Sequence, residues 1–251
     1  MSVREYDEYY AKTAPHFDRF RLDGTEESEL FVSRIRAGLP SRRIRAFDAG
    51  CGSGRHSYLL SQHGLEVVSL DRSIQQLRVA PKRLNLVRGS VTNIPFRAKT
   101  FGVWFSSLMI HQLDPFERNA AFSEAVRILE VGGKVIIRTS SHDDLRQRPF
   151  AKNFPSALEL NLRRYPDIPE LRSTLSSLGL VEITVERTLT HAVMTPASLM
   201  ASIRSKPNTT LSLVPADEFA SGCGELEKEL AGQESTVVSH YHTILTGSRG
   251  G

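Results

Sequence analysis

Three glycines at alternate positions, preceded by an acid, are the residues of this sequence best suited to bind a ligand. The apolar run at 44–47 ends in Asp48, and Gly50, Gly52 and Gly54 follow. Glycine tolerates positive φ and has no Cβ, so a ligand can lie directly against the backbone of such a turn. A helix that begins just after the third glycine would point free N–H groups and its positive dipole end at that ligand.

A second acid follows at the spacing expected for a nucleotide site. The apolar run at 67–70 ends in Asp71. An acid about 20 residues past a glycine turn, at the end of the next strand, is placed to bind ribose hydroxyls. This spacing predicts two adjacent parallel strands joined by one helix. The alternative is a strand-to-helix turn without a ligand, which the combination of three glycines with Asp48 and Asp71 disfavours.

Two common nucleotide-binding motifs match poorly. In the dinucleotide pattern G-x-G-x-x-G, the third glycine would fall at Arg55 or at Ser57, depending on the register. The P-loop pattern G-x-x-x-x-G-K-[ST] is absent from the sequence. A nicotinamide dehydrogenase is therefore a distant alternative, and these residues alone leave the type of nucleotide open.

The segment from Asp48 to Gly54 resembles motif I of the class I S-adenosylmethionine (SAM)-dependent methyltransferases. The resemblance includes the acid two residues before the first glycine, and it points to the small-molecule branch, similar to the ubiquinone and menaquinone biosynthesis type. Specific motifs of the family extend over residues 44–139. The resemblance implies that the cofactor is S-adenosyl-L-methionine.

The resemblance also implies which residues hold the cofactor. The expected cofactor-binding residues are Asp48, Gly50, Cys51, Gly52, Gly54, Asp71, Arg72, Ser90, Val91 and Ser106. Asp48 is expected to reach the cofactor's ammonium group, to cap the glycine turn, or both, and Asp71 to bind both ribose hydroxyls. The sequence departs from the family at two positions, where Ser90 and Gly102 replace acids that are common there.

Methyl transfer needs few catalytic side chains, because the sulfonium of the cofactor activates the methyl group. The protein aligns donor and acceptor, and a general base helps only when the acceptor must lose a proton. His111, after the fourth predicted strand, is the candidate base; a packing or hydrogen-bonding role is the alternative. The candidate acceptor contacts are Tyr10, Phe17, His111 and His142. No metal site is predicted, because no Cys/His cluster has zinc spacing.

Alternating strand and helix patterns predict an α/β fold. We expect a Rossmann-like, doubly wound, seven-stranded sheet, mostly parallel with an antiparallel terminal strand, and helical insertions near the C-terminus. Gly102 lies within the fourth predicted strand, where it predicts a bulge or a close backbone approach. The helix after Asp114 is expected to end at Gly132 and Gly133, with a fifth strand over 134–139.

A single methyltransferase domain is predicted over residues 1–251. Residues 1–40 are expected to form a helical lid that includes a helix at 26–37. Residues 41–140 are expected to form the SAM-binding core, residues 141–235 the substrate-side helices and insertions, and residues 236–251 the last strand and tail.

Composition limits the partners and the compartment. The net charge is +4, but the basic residues are spread along the chain, so a nucleic-acid partner is possible without being favoured. Two cysteines provide no disulfide framework, which predicts a cytoplasmic protein. The first residues are charged and lack the apolar core of a signal peptide, and no 18 apolar residues run together, so no membrane span is expected.

The predicted function is transfer of a methyl group from SAM to O, N or C of a small-molecule acceptor. Two alternatives are open: an RNA or protein methyltransferase, and a SAM-binding protein without transfer activity. The first lacks the Asn/Asp-Pro-Pro-Tyr/Phe motif used on exocyclic amines. The replacements at Ser90 and Gly102 leave room for the second.

Overall fold

The computed structural model describes Tyr9 and residues 25–36, 44–206 and 209–251. The predicted acceptor contacts Tyr10 and Phe17 lie outside the described residues. The helix predicted at 26–37 is present as α1 (Thr25–Arg36), in which Val32 and Ile35 are buried.

Seven strands form one sheet in the described part of the chain. They are β1 (Arg45–Ala49), β2 (Glu66–Asp71), β3 (Asn85–Arg88), β4 (Phe101–Ser107), β5 (Leu129–Thr139), β6 (Leu180–Met194) and β7 (Thr236–Arg249). Their order is β3-β2-β1-β4-β5-β7-β6. The last strand, β7, pairs antiparallel with β5 and with β6, and the other described pairs are parallel. The predicted Rossmann-like, doubly wound architecture is therefore confirmed.

Helices connect the strands and cover both faces of the sheet. They are α2 (Arg55–Gln62), α3 (Ile74–Val79), α4 (Pro115–Ile128), α5 (His142–Arg146), α6 (Pro155–Arg164), α7 (Ile168–Ser177), α8 (Pro196–Arg204) and α9 (Ala216–Leu230). The strand order reverses between β1 and β4, and such a reversal opens a crevice at the carboxyl ends of the strands, where α/β proteins bind ligands.

Alternating side chains of the central strands supply a core on each face of the sheet. Trp104 of β4 belongs to one apolar cluster with Phe122 of α4, whereas Val103 and Phe105 belong to the other with Ile35 of α1. This alternation follows from the two-residue period of a strand. A third apolar cluster joins α6, α8 and α9 to β7. The crevice is thus bordered by the sheet on one side and by a helical subassembly on the other.

The paired glycines after α4 have a different role from the predicted one. We expected Gly132 and Gly133 to end the helix, but α4 ends at Ile128 and β5 already begins at Leu129. The pairing of β5 with β4 shifts register between Phe101 and Val103. A Cβ on Gly133 would lie 2.9 Å from the carbonyl oxygen of Glu130, so the glycine is needed for this irregular pairing. Gly102, where a bulge or a close backbone approach was predicted, lies at the same shift, and its carbonyl oxygen would be 3.2 Å from a Cβ on Gly133.

Candidate active site

The glycine turn between β1 and α2 is held against the end of β2. Gly50, Gly52 and Gly54 have φ values of 74°, 55° and 76°. The backbone amides of Gly50 and Cys51 both donate to the carbonyl oxygen of Leu70, at 2.8 and 3.0 Å. The left-handed conformation is available to glycine without the Cβ penalty, which explains the residue type at all three positions.

The three glycines differ in what a side chain would meet. A Cβ on Gly50 would overlap the side chain of Met109, and a Cβ on Gly54 would lie 2.6 Å from Cδ1 of Leu84. A Cβ on Gly52 would meet only Oε1 of Gln76, at 3.8 Å. Gly50 and Gly54 therefore permit close packing of the protein, whereas Gly52 leaves free space in front of the backbone. A ligand can approach the turn at Gly52.

Asp71 links the glycine turn to the residues that follow β2. Its Oδ2 accepts a hydrogen bond from the amide of Gly52 and its Oδ1 accepts one from the amide of Ser73, both at 2.8 Å. Burial raises the pKa of the carboxyl group, and the amide hydrogen bonds from Ser73 and Gly52 work against this rise. A carboxylate has about four acceptor positions, so acceptor capacity is left for a ligand's hydroxyl groups.

Asp48 lies at the end of β1 in a buried hydrogen-bond chain. The hydroxyl of Ser57 donates to Oδ2 of Asp48 at 2.5 Å, and the hydroxyl of Ser69 donates to that of Ser57 at 2.7 Å. Burial raises the pKa of Asp48 to about 7; the hydrogen bond from Ser57 lowers it, and the charge of Asp71 raises it further. A cationic ligand group next to this carboxyl group would favour its ionised form.

A cavity of about 300 Å³ opens in front of the glycine turn. On one side its wall includes Asp48, Gly50, Cys51, Gly52 and Asp71. The residues that line it from the later part of the chain include Arg148, Asn161, Tyr165, Thr209, His240 and His242. Its size falls at the lower end of the range for small-molecule pockets, about 300–1,000 Å³. One partly open cavity therefore connects the nucleotide-type turn to the segment predicted to bind the acceptor.

His111 forms part of the wall between these two regions. Its imidazole stacks on the ring of Tyr165, with centroids 4.2 Å apart and planes inclined by 7°. Its Nε2 lies 3.0 Å from the side-chain nitrogen of Gln112, a donor, so Nε2 is the acceptor in that pair. Burial lowers the pKa of His111 to about 3, and the charges of Arg148, Arg164 and Arg118 lower it further. The imidazole is therefore neutral at physiological pH.

The other predicted site residues that the structure describes do not line the cavity. Val91 is buried in the apolar core, and Ser90 bonds to Thr92 at 2.8 Å. Ser106 is buried, and its neighbour Ser107 lines the cavity instead. Gly54 lies behind the turn, and neither Arg72 nor His142 is among the lining residues. His142 contacts the carbonyl oxygen of Tyr165 through Nε2 at 3.0 Å, so it supports a residue of the wall.

Several residues of the wall carry no local sequence signal. Gln112, Arg148, Tyr165 and Thr209 come from different segments and meet only in the folded chain. Among the described residues, no helix is long and apolar enough to cross a membrane, and no group of three His, Cys, Asp or Glu side chains is arranged to hold a metal ion.

Residues 47–137 match the protein family described as a methyltransferase domain. This match, the sheet order and the glycine turn agree with the predicted resemblance to the class I methyltransferases, and the matched methyltransferase domain covers residues 47–137. A malonyl-(acyl-carrier protein) O-methyltransferase of Enterobacter lignolyticus is 30% identical over 140 residues, which cover 54% of this chain and 53% of that protein. A demethylmenaquinone methyltransferase of Renibacterium salmoninarum is 27% identical over 172 residues, covering 60% of this chain and 70% of that one.

Solved structures agree at the level of the fold. Phosphoethanolamine N-methyltransferase 2 of Haemonchus contortus, in complex with S-adenosyl-L-methionine, superposes with a TM-score of 0.65 at 16% identity. The superposition covers 100% of this chain and 60% of that one. The chain thus spans about half the length of the first of these curated relatives and about two thirds of the other two proteins.

Proposed function

We propose that the protein is a methyltransferase that moves a methyl group from S-adenosyl-L-methionine to a small-molecule acceptor. One observation carries the proposal: the amide of Gly52 donates to Asp71 at 2.8 Å beside the cavity, while a Cβ at Gly52 would enter free space. A carboxylate fixed to the open face of a glycine turn suits a ribose that lies against the backbone. The methyltransferase-domain match over residues 47–137 supports the same cofactor.

The described residues fit this cofactor. Asp71 would accept hydrogen bonds from the ribose hydroxyls, and Gly52 would let the ribose and methionine portions lie against the turn. Asp48, whose pKa is about 7 because of burial, would become fully ionised next to the cofactor's ammonium group. The sulfonium supplies the activated methyl group when it is bound, and the chain's own contribution is alignment and exclusion of water.

The acceptor would occupy the part of the cavity bordered by His111 and Tyr165. A base with a pKa of about 3 removes protons weakly at neutral pH. The stacked, neutral imidazole is better suited to shape the cavity and hold a hydrogen bond than to act as a general base. This favours an acceptor atom that needs no proton removed, or one already deprotonated in solution.

Two further assignments belong to the same proposal. The helical lid predicted over residues 1–40 is supported at one point, where the hydroxyl of Tyr9 donates to the carbonyl oxygen of Lys206 at 3.4 Å, just after α8. Cytoplasmic location is supported by the cysteines, since both Cys51 and Cys223 are free thiols.

Calorimetric titration with SAM tests the proposal. The unmodified chain should bind, and Asp71→Asn, which keeps the size and one acceptor oxygen but loses the charge, should weaken binding by about 10-fold to 100-fold. Asp217→Asn, on the exposed first turn of α9, is the matched control and should leave the affinity unchanged. No detectable SAM binding, or equal affinity in the Asp71 variant, would remove the basis of the assignment.

A further inference from the structure

Three arginines lie near His111, which forms part of the cavity wall. Arg118, Arg148 and Arg164 each depress the pKa of His111 through their charge, so all three lie within electrostatic range of that ring. Arg148 lines the cavity itself. The side chains of all three arginines are partly buried, which makes their charges less screened than those of surface arginines.

None of these arginines has an ion pair among the residues that the structure describes. Arg148 donates to the hydroxyl oxygens of Ser140 and Tyr165, at 3.1 and 3.3 Å. Arg164 donates to the hydroxyl oxygen of Thr209 at 3.4 Å. Arg118 donates to backbone carbonyls and is only partly compensated by the more distant charges of Glu170 and Asp114. Partly buried guanidinium groups bonded only to neutral oxygens retain much of their attraction for an anion.

The hydroxyl groups that accept hydrogen bonds from these arginines also suit an anion. Tyr165 and Thr209 both line the cavity, and each accepts a hydrogen bond from a guanidinium group. Thr209 also accepts from the side-chain nitrogen of Gln112 at 3.4 Å. A hydroxyl that accepts from two donors has its own proton left to donate. The cavity wall therefore contains hydroxyl groups that can donate and that lie next to positive charge.

The cavity is also polarised along its length. Among the described residues that line it, the carboxylates are Asp48 and Asp71, both beside the glycine turn, where Arg55 also lines the cavity. The wall near Arg148 and Tyr165 contains arginine, histidine, asparagine and hydroxyl groups and no described acid. The acidic side suits the cationic and ribose portions of a nucleotide cofactor, and the opposite side has the charge and donors that suit an anion.

From this arrangement we infer that the acceptor is an anion, whose carboxylate or phosphate group is bound by Arg148, Tyr165 and Thr209 with Arg164 and Arg118 behind them. The inference rests on the proposed function, because it concerns the acceptor of that same site. Arginine is suited to this task because its planar fork matches carboxylate and phosphate oxygens.

The experiment uses the full chain saturated with S-adenosylhomocysteine (SAH), titrated calorimetrically with inorganic phosphate and, separately, with acetate. Sodium chloride keeps the ionic strength constant, since salt alone changes electrostatic binding. Phosphate or acetate should bind, and Arg148→Gln should weaken that binding by about 10-fold or more. Arg163→Gln is the matched control: it removes the same charge one residue before Arg164, from a side chain that is 70% exposed. It should leave anion binding unchanged.

Tyr165→Phe and Thr209→Val provide a second test that keeps every charge. Each removes one hydroxyl donor and should weaken anion binding by about 5-fold, while the affinity for SAH stays within about 2-fold. Preference for phosphate or for acetate then distinguishes a phosphate ester from a carboxylic acid as the acceptor, and either one supports the inference.

Three results would overturn it. One is that neither anion binds to the SAH complex. Another is that Arg148→Gln and Arg163→Gln weaken anion binding equally, which indicates general electrostatics. The third is that Arg148→Gln weakens SAH binding as much as anion binding, which assigns the arginine to the cofactor. In all three cases the methyltransferase assignment stands, whereas failure to bind SAH at all removes that assignment as well.

Discussion

The imidazole of His111 lies flat against the ring of Tyr165, with centroids 4.2 Å apart and an angle of 7° between the planes. This stack joins the segment after β4 to the end of α6, and so fixes the wall of the cavity between the two predicted binding regions. Tyr165 also accepts a hydrogen bond from Arg148. The stack and this hydrogen bond together link the position of the Arg148 guanidinium group to that of the His111 ring.

Replacement of His111 tests whether it acts as a base. Loss of a general base typically costs about 10²–10⁴-fold in rate. For a neutral ring with a pKa of about 3, we expect His111→Gln to lower kcat less than that, by about 10-fold or less. The measurement is kcat against pH from 5 to 9 with an acceptor once one is found. A limb near the ordinary histidine pKa, absent from the variant, would contradict this expectation.

Asp48 should make the free energy of unfolding fall as pH rises, because its pKa is higher in the folded protein than in the unfolded chain. A carboxyl group whose pKa is lowered by folding has the opposite effect. The folded-state pKa of Asp48 is about 7, whereas its usual value is 3.8, so its contribution is fully present below 3.8 and is lost as pH rises through 7. One pKa unit corresponds to about 1.4 kcal/mol, so the loss is at most about 4 kcal/mol. The free energy of unfolding of Asp48→Asn, measured relative to that of the unmodified protein, should therefore be higher at pH 8 than at pH 5.

Urea unfolding of the cofactor-free protein at both pH values measures this difference. Asp217→Asn, which removes an exposed carboxylate, is the matched control. An equal free-energy difference at pH 5 and pH 8 for Asp48→Asn would exclude the proposed ionisation.

Alanine substitutions separate the two uses of glycine in the turn. Gly64→Ala is the control for backbone strain, since its φ is 82° and a Cβ there meets nothing within 4 Å. That strain should cost about 1 kcal/mol. Gly52→Ala should cost a similar amount of stability yet lose SAM affinity. Gly50→Ala should cost about 1–3 kcal/mol more than the control, because its Cβ overlaps Met109.

Thermal melting and SAM calorimetry on the same three variants distinguish these outcomes. Unchanged SAM affinity in Gly52→Ala would mean that the cofactor does not lie against this part of the turn. Equal stability of the Gly50 and Gly64 variants would mean that Met109 adapts without cost.

Asp144 anchors the short helix that leads to Arg148. Its carboxylate accepts from Thr243 of β7 at 2.6 Å, from Arg187 of β6 at 2.7 Å and from the amide of Ser141 at 2.9 Å. Asp144→Ala should cost about 2–4 kcal/mol, because buried partners lose their acceptor. Asp143→Ala, whose side chain is 79% exposed, should cost about 0.5 kcal/mol or less. Chemical denaturation of both variants provides the comparison, and similar losses would contradict a structural role for Asp144.

The part of the site around the glycine turn was predictable because its sequence motifs are local. The turn from Asp48 to Gly54, the acid Asp71 at the next strand end and the alternation of strands with helices all act within short stretches of chain. The part of the cavity wall formed by Gln112, Arg148, Tyr165 and Thr209 was not predictable. Long-range packing brings these residues together, and they have no regular spacing in the sequence. Ser90 and Val91 were assigned to the cofactor by resemblance alone, and their contact with it stays a prediction.

The helix end assigned to Gly132 and Gly133 shows a limit of local interpretation. A glycine pair after an amphipathic helix usually indicates its C-terminus. Here Leu129 already pairs with Phe101, and the glycines absorb a register shift between β4 and β5. The deciding contact is the pairing of Leu129 with Phe101, which lies 28 residues earlier in the sequence. A short stretch of sequence around the glycines does not include that partner.

The position of β7 between β5 and β6 has a consequence for biosynthesis. As the ribosome delivers the chain from its N-terminus, β1 to β5 can assemble in turn, whereas β6 reaches the sheet only through β7, which is made last. Until then β5 has an exposed edge, and Arg148 and Tyr165 lie in a segment without its final support. The strands around the glycine turn can therefore pair before Thr236–Arg249 is synthesised, whereas β6 cannot join the sheet until Thr236–Arg249 has left the exit tunnel.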